Sequence, residues 1–305
     1  MTTAICTLFE GSYSLGVGAL VNSLVAAGFK GIVYAGHRGQ APDWDLGALR
    51  KAGVDIQFTE LKTTYHLTNY KPDFMLQVFG SQPNISRLCY LDPDIVILSP
   101  WVYFEEWLAC GIALCEDVNS PVAAGHPRRH GWRRHLSADY ADWRCRTEIY
   151  ANGGFVGICR DQLKFLETWR SLLLAMGDVI GGMRVAKLKG GMKYISSGFA
   201  NCFDSSDQDA LNATLEADDF TVSITGKSAM AFEGGETLMA HALGSGKPWE
   251  RKFLKEALRG NPPRRSDKEY YRFCYSPIKI LPALTIRLRL LQIKVAIVIS
   301  RVWRR

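Results

Sequence analysis

The chain has 305 residues, of which 47% are hydrophobic and 22% are charged, and its net charge is +7. A chain of this length can bury a sizeable core without zinc sites or disulfides, and its eight cysteines include no CxxC pair. Its first residues lack the basic region of a signal peptide, and no window is long and apolar enough to span a bilayer. We therefore expect neither a secreted nor an integral membrane protein, and we expect buried thiols in a reducing compartment.

The net positive charge of the chain comes from its carboxy-terminal end. Residues 264–305 contain 11 basic and 2 acidic residues and so carry +9, which leaves −2 on residues 1–263. A nucleic-acid-binding protein would place positive charge on the body of its fold. We therefore expect no nucleic-acid partner.

Short apolar runs alternate with segments of helical periodicity through the first half of the chain. Strands are expected at 4–9, 32–35, 54–58, 87–98, 113–118 and 155–159, and helices at 15–29, 43–52 and 70–82. This alternation predicts an α/β fold with a mainly parallel sheet and helices on both faces. Ligands of such sheets bind beyond the carboxyl ends of the strands. We divide the chain into one α/β domain, residues 1–262, and a tail, residues 263–305.

Two carboxylates interrupt the apolar segment 87–98. Because Pro93 cannot donate a ladder hydrogen bond, the strand should end or bend at Asp92-Pro93-Asp94. Carboxylates in an apolar setting are costly unless a cation neutralises them. Their oxygens suit Mg²⁺ or Mn²⁺ bound together with substrate phosphates. A surface turn is the alternative, since Asp-Pro-Asp is also favourable turn chemistry.

Three downstream polar segments supply further candidate residues. The segment 152–154 combines an amide with glycines that allow a ligand to approach the backbone closely. Asp207 and Gln208 begin a predicted short helix, where Asp207 could instead be the N-cap. His241 precedes a glycine turn that delivers Lys247, which suits a third metal ligand and a cation for a diphosphate. Taken alone, His241 could equally be a structural histidine.

In chain order, these motifs resemble those of the family-8 glycosyltransferases. The motifs are YLDPD (90–94), NGG (152–154), DQDALN (207–212) and HALGSGKPW (241–249). The resemblance covers about residues 4–250. It implies a GT-A fold and the transfer of a hexose, with retention, from a nucleotide-sugar, usually a UDP-sugar, with Mn²⁺ or Mg²⁺.

The resemblance also implies roles for individual residues. Asp92, Asp94 and His241 would bind the metal. Tyr13 would stack on the base, and Glu10 stands where the family has a base-binding aspartate. The further donor-binding residues implied are Leu8, Arg87, Asp92, Gly153, Gly244 and Lys247, of which Lys247 and Gly244 would hold the diphosphate. The catalytic residues implied at the donor sugar are Asn152, Asp207 and Gln208.

Two basic segments lie outside these motifs. HPRRHGWRRH, at 126–135, is expected to be a solvated insertion, with an acceptor-binding loop for an anionic glycolipid or phosphate as the alternative. In the tail, Arg287, Lys294 and Arg301 would form one basic stripe on an otherwise apolar helix. This pattern predicts a helix lying on an anionic membrane surface. A terminal helix docked on the core and a strand are the alternatives.

These observations lead to one functional hypothesis. We expect a cytoplasmic glycosyltransferase, peripheral on the inner face of the cell membrane, that transfers a hexose to a glycolipid or polysaccharide precursor. The alternatives are an inverting GT-A transferase and a catalytically silent protein that binds nucleotide-sugars or acts as a membrane scaffold. The sequence carries no prediction of oligomeric state.

Overall fold

The structure is a computed structural model, and it describes residues 2–136, 143–186, 202, 203, 205–244 and 246–303. Two sequence predictions extend beyond these residues. Ser245 of the HALGSGKPW motif and the last two arginines of the basic tail lie outside the described residues.

Strands and helices alternate along the described chain, as the sequence predicts. The strands are β1 (Thr3–Glu10), β2 (Gly31–Arg38), β3 (Val54–Glu60), β4 (Arg87–Leu91), β5 (Ile95–Ile97), β6 (Ile112–Glu116), β7 (Ala151–Cys159), β8 (Val222–Thr225) and β9 (Met239–His241). The helices are α1 (Ser14–Ala26), α2 (Gly47–Lys51), α3 (Lys71–Ser81), α4 (Trp101–Leu108), α5 (Pro127–Leu136), α6 (Leu163–Ile180), α7 (Ser206–Ala217), α8 (Phe253–Leu258), α9 (Arg265–Arg272) and α10 (Ala283–Trp303).

Seven of these strands form one sheet, in the order β3-β2-β1-β4-β7-β6-β8. The pairs β2/β3, β1/β4 and β6/β8 are parallel, and β6/β7 is antiparallel. Strands β5 and β9 form a separate antiparallel pair. The predicted α/β fold with a mainly parallel sheet is therefore confirmed.

The chain divides into two compact units. Unit 1 comprises Met1–Leu8, Leu61–Tyr90 and Glu105–Lys227, and unit 2 comprises Phe9–Glu60, Leu91–Phe104 and Ser228–Arg305. Helices α9 and α10 of the predicted tail therefore belong to the same unit as β2 and β3. The predicted boundary between residues 262 and 263 stays a prediction.

Helix α5 of unit 1 corrects the prediction of a solvated insertion at 126–135. Its Arg129 and Trp132 are buried, with 2% and 0% of their surfaces exposed. The Arg129 guanidinium pairs with the buried carboxylate of Glu216 and also donates to the carbonyls of Val122 (2.8 Å) and Thr147 (2.9 Å). The segment is basic in composition, but its central arginine and tryptophan belong to the core.

Helix α10 of unit 2 is docked on the core along one face. Ile286, Ile293 and Ala296 are buried against a cluster that includes Phe253 of α8 and Tyr271 of α9. The alternative of a strand for this segment is wrong, because residues 283–303 form a helix and the docked positions recur with helical spacing.

The chain just before α10 is held by Asn22 of α1. The Asn22 amide donates to the carbonyls of Phe273 (2.6 Å) and Ile278 (2.8 Å), and its oxygen accepts from the Ile278 amide (2.8 Å). No helix in the described part of the chain is long and apolar enough to cross a membrane.

Candidate active site

The Asp-Pro-Asp segment connects strand β4 of the seven-stranded sheet to strand β5 of the two-stranded sheet. Strand β4 ends at Leu91 and β5 begins at Ile95, whose amide donates to the Asp92 carbonyl (3.1 Å) to close a turn. The predicted break at Pro93 is therefore present. It places two carboxylates at the carboxyl end of β4, where α/β proteins bind ligands.

Strand β9 brings His241 to the same turn. In the antiparallel pair, His241 lies opposite Ile95, and the amide of Ala242 donates to the Asp94 carbonyl (3.1 Å). The His241 Nε2 atom lies 3.3 Å from Asp94 Oδ1 and 3.7 Å from Asp92 Oδ2. One ligand atom from each of these three residues lies within 4.8 Å of the others. The structure thus groups the three residues that the sequence predicts as metal ligands.

The electrostatics of this group depend on burial and on two neighbouring bases. Burial by itself raises the pKa of Asp94, but His241 and Lys247 together hold it well below its ordinary value of 3.8. The Lys247 Nζ donates to Asp94 Oδ2 (2.5 Å) and to the carbonyl of Ala242 (2.8 Å). Asp94 is therefore ionised at neutral pH, as a metal ligand must be.

The donor set fits a divalent metal ion. Two carboxylate oxygens are ligands that Mg²⁺ and Mn²⁺ prefer, and an imidazole nitrogen favours a transition metal such as Mn²⁺ over Mg²⁺. His241 is 7% exposed, and its other ring nitrogen, Nδ1, has no hydrogen-bond partner among the described residues. The ring therefore presents Nε2 to the two carboxylates.

A glycine of α1 allows this turn to lie against the helix. A Cβ atom at Gly16 would stand 2.2 Å from the Pro93 carbonyl oxygen and 2.8 Å from the Trp249 ring. Gly16 is not among the residues predicted from the sequence. The available signal was a pair of glycines, Gly16 and Gly18, inside a helix, where glycine is normally unfavourable.

We expect Gly16→Ala to weaken the metal site. The new methyl group must push the Pro93 carbonyl away, which moves Asp92 and Asp94, and overpacking of this kind costs about 1–3 kcal/mol. The measurement is the melting temperature, together with Mn²⁺ affinity by electron paramagnetic resonance. Gly80→Ala, in α3, is the matched control, since no described atom lies within 4 Å of a Cβ atom built at Gly80. Equal effects of both substitutions would contradict the role of Gly16.

The predicted nucleoside-binding residues of unit 2 lie around a short 3₁₀ turn, Gly11–Tyr13. The Tyr13 ring packs edge-on to Trp249 (5.5 Å between centroids), and the Lys247 Nζ lies 5.8 Å from its centroid. Glu10 forms an ion pair with Arg38 (2.7 Å), so its carboxylate already has a cationic partner.

Two glycines with left-handed backbone connect His241 to Lys247. Gly244 and Gly246 have φ of +75° and +76°, a conformation that other residues rarely adopt. This conformation turns the chain so that Lys247 returns to Asp94.

The other predicted residues belong to unit 1. There, helix α7 is joined to strand β7 by its polar side chains, because Gln208 Oε1 accepts from the Gly153 amide (3.1 Å) and Asn212 bonds both backbone groups of Ala151. The suggestion that Asp207 is the N-cap is wrong, since Ser205 holds that position and Asp207 lies inside the helix.

Asp207 pairs with a lysine that the sequence analysis missed. The Lys71 Nζ lies 2.9 Å from Asp207 Oδ2 and donates to the Gly153 carbonyl (2.8 Å), and only 3% of the Lys71 side chain is exposed. The indole of Trp169 donates to the Asp207 carbonyl (2.9 Å). No local pattern around Lys71 identifies it, because its partners lie 82 and 136 residues further along the chain.

Asn152 is held by a second missed residue. Its amide donates to the buried carboxylate of Asp117 (2.6 Å), and its oxygen accepts from the Gly154 amide (2.8 Å). Leu8 is buried in β1. Arg87 begins β4, at the amino end of the strand, and donates to the Glu105 carbonyl (3.1 Å). The roles predicted for Asn152, Leu8 and Arg87 in donor binding or catalysis stay predictions.

Comparisons with solved structures identify the fold. No family model and no curated protein sequence matches this chain. The galactosyltransferase LgtC, in a crystal structure with donor and acceptor sugar analogues, is 15% identical over 94% of this chain and 100% of its own, with a TM-score of 0.52. An active-site Gln-to-Glu mutant of LgtC gives 13% identity, the same coverage and a TM-score of 0.53.

A third solved structure, also of a glycosyltransferase, has a similar fold. The bifunctional glycosyltransferase WbbM is 12% identical over 95% of this chain and 52% of its own, with a TM-score of 0.55. The resemblance stated from the motifs is therefore confirmed at the level of the fold. The chain has the fold of a family-8-like GT-A glycosyltransferase.

Proposed function

We propose that this protein is a metal-dependent glycosyltransferase that moves a hexose, with retention, from a nucleotide-sugar, preferably a UDP-sugar. The observation that carries the proposal is the grouping of Asp92, Asp94 and His241 beside Lys247, at the carboxyl end of a strand in a GT-A fold. The acceptor is a glycolipid or polysaccharide precursor. LgtC, which has this fold, is a galactosyltransferase that was crystallised with donor and acceptor sugar analogues.

The residues of unit 2 would act on the leaving group. Departure of a nucleoside diphosphate builds negative charge on its terminal phosphate, and Lys247 offers a preorganised positive charge for it. A metal ion bound by the three ligands would supply Lewis-acid stabilisation of the same charge. Tyr13, which is half-buried beside Trp249, would stack on the base.

Asp207 and Gln208 are the residues proposed to contact the donor sugar. Lys71 pairs directly with Asp207 at 2.9 Å, and Gln208 is oriented by the Gly153 amide. A carboxylate and an amide oxygen can stabilise positive charge that develops at the anomeric carbon. The LgtC mutant replaces a glutamine of that enzyme's active site. We propose that Gln208 is an active-site glutamine in this protein.

The test is a screen of nucleotide-sugars with the purified protein and Mn²⁺, in which release of the nucleoside diphosphate is measured. We expect turnover with one class of UDP-sugar, its loss on chelation, and a product with retained anomeric configuration. An inverted product would favour the inverting alternative. Binding of UDP without turnover, unaffected by Gln208→Ala, would favour the catalytically silent alternative.

We also propose that α10 holds the enzyme on an anionic membrane surface, at the inner face of the cell membrane. Opposite the docked face, a line of exposed apolar side chains follows the helix within an arc of about 80°. They are Leu284, Leu288, Leu291, Val295, Val298 and Val302. Arg287, Lys294 and Arg301 are exposed along one side of this line, and α10 contains no acidic residue.

The charge pattern favours lipid over a second copy of the chain. The apolar line has coiled-coil spacing, but two such helices would bring basic stripes together with no acidic partners. An anionic bilayer complements both features, since it accepts apolar side chains and attracts basic ones.

We expect the protein to float with vesicles that contain anionic lipid and not with neutral vesicles. Each basic residue near such a surface contributes about 1 kcal/mol, so removal of all three charges on Arg287, Lys294 and Arg301 should weaken binding about 100-fold. Leu291→Asp should also weaken it, whereas Val102→Asp, an exposed apolar position on α4, should not. The proposal would be refuted if the protein bound neutral vesicles as strongly as anionic ones. It would also be refuted if the protein formed a dimer and bound no vesicles.

A further inference from the structure

Lys247 contacts the carboxylate that the candidate metal site also needs. Its Nζ lies 2.5 Å from Asp94 Oδ2, while His241 Nε2 lies 3.3 Å from Asp94 Oδ1. The ammonium is mostly buried, with 12% of the side chain exposed, and it donates its second hydrogen bond to the Ala242 carbonyl at 2.8 Å. The lysine therefore neutralises one of the two metal-binding carboxylates.

A divalent ion and this ammonium would compete for Asp94. Both carry positive charge, and at contact distance in a buried setting the repulsion between them is strong. A carboxylate that is hydrogen-bonded to an ammonium is also a weaker donor to a metal, because the ammonium withdraws electron density and occupies one of its oxygens. Metal binding thus requires the lysine to give up or weaken its contact with Asp94.

The Lys247 side chain is long enough to leave Asp94 without movement of the loop that carries it. Gly244 and Gly246 precede it with left-handed backbone, and no described atom lies within 4 Å of a Cβ atom built on Gly244. The carbonyls of Leu243 and Gly246 accept from Arg264, which holds this loop. Rotation about the side-chain bonds of Lys247 would therefore shift Nζ while β9 and His241 stay in place. A diphosphate offers the ammonium a stronger anionic partner than a single carboxylate does.

We propose that Lys247 competes with the metal ion for Asp94, so that the metal and a nucleoside diphosphate bind with positive cooperativity. The proposal rests on the function proposed above, because it assumes that the ligands are a divalent metal and a nucleoside diphosphate. When the diphosphate binds, Lys247 moves from Asp94 to the phosphates and the metal gains the full carboxylate. Coupling of this kind is reciprocal, so the metal raises the affinity for the diphosphate by the same factor.

The test is a titration of Mn²⁺ alone, followed by electron paramagnetic resonance, without nucleotide. Lys247→Met should bind Mn²⁺ about tenfold more tightly than the wild-type protein, since a charged hydrogen bond to Asp94 no longer opposes it. Lys247→Arg keeps the charge and should show no gain. Lys255→Met, on the exposed side of α8, is the matched control and should also show none.

A second measurement uses the wild-type protein, so that the proposal can be tested even where Lys247→Met does not fold. Saturating UDP should raise the Mn²⁺ affinity of the wild-type protein, and it should raise that of Lys247→Met much less. A lysine that only binds phosphate would leave the Mn²⁺ affinity without nucleotide unchanged on substitution. That result, or a wild-type Mn²⁺ affinity that does not respond to UDP, overturns the proposal.

These outcomes are distinguishable from failure of the proposed function. If turnover is observed but Lys247→Met gains no Mn²⁺ affinity, the competition is refuted and the enzyme activity stands. If the wild-type protein binds neither Mn²⁺ nor UDP in any combination, both the competition and the proposed function are wrong.

Discussion

Asp94→Asn is expected to lower the rate of glycosyl transfer at least about 1,000-fold. The substitution removes one of two negative ligands from the candidate metal site, and the Lewis-acid stabilisation lost is worth several kcal/mol, of which about 4 kcal/mol corresponds to this factor. Asp94 is the more buried of the two carboxylates and contacts both His241 and Lys247. Loss of the Asp94 carboxylate should therefore affect the candidate metal site more than loss of any single contact outside it.

The fold should survive this substitution. The asparagine oxygen can still accept from Lys247, and the backbone of residue 94 keeps its bond from the Ala242 amide. We would measure release of nucleoside diphosphate, Mn²⁺ affinity and melting temperature on the same preparations. Asp161→Asn, at an exposed position of unit 1, is the matched control. Retained turnover that still depends on Mn²⁺ would show that the metal binds elsewhere.

Arg129→Ala is expected to destabilise unit 1 by about 3–5 kcal/mol. The substitution leaves the Glu216 carboxylate, which is 1% exposed, without its most buried partner, and an uncompensated buried charge costs this much. It also removes donors from the carbonyls of Val122 and Thr147. Arg133 and Trp143 keep hydrogen bonds to the other Glu216 oxygen, so part of the network remains.

Thermal and urea unfolding of the full chain would measure this effect. Arg134→Ala, at an exposed position of the same helix, is the control and should change the free energy of unfolding by no more than about 0.5 kcal/mol. A second variant, Glu216→Gln, should also be destabilised, because Arg129 then lacks a counter-charge and the amide NH2 replaces an oxygen that accepts from Arg129 or from Arg133 and Trp143. If Arg129→Ala were as stable as the control, the buried ion pair would contribute nothing to stability.

The candidate metal site could be predicted from the sequence only in part. The Asp-Pro-Asp turn is a local feature, since proline ends the strand and apolar residues flank it on both sides. His241 lies 147 residues after Asp94, and its place in the site depends on the pairing of β5 with β9. The motif order suggested the association, but the register of a three-residue strand pair is not encoded in any local pattern.

The charged residues that could not be predicted from the sequence share one physical property. Lys71, Asp117 and Arg129 are buried charged residues whose partners come from distant segments. Composition predicts that such residues lie at the surface, because charged side chains are seldom buried without partners. For this reason the basic composition of 126–135 predicts a solvated segment, although Arg129 and Trp132 lie in the core.

Local sequence, by itself, determined the alternation of strands and helices, the break at Pro93, the acidic pair that follows β4 and the confinement of positive charge to the carboxy-terminal end. Each of these depends on residues that are neighbours along the chain. The tertiary structure alone decided which charges are buried, which base neutralises Asp94, and which face of α10 is docked and which is exposed. Burial and ion pairing depend on segments that meet only after folding, so the free energy of these contacts is set by the packing of distant residues.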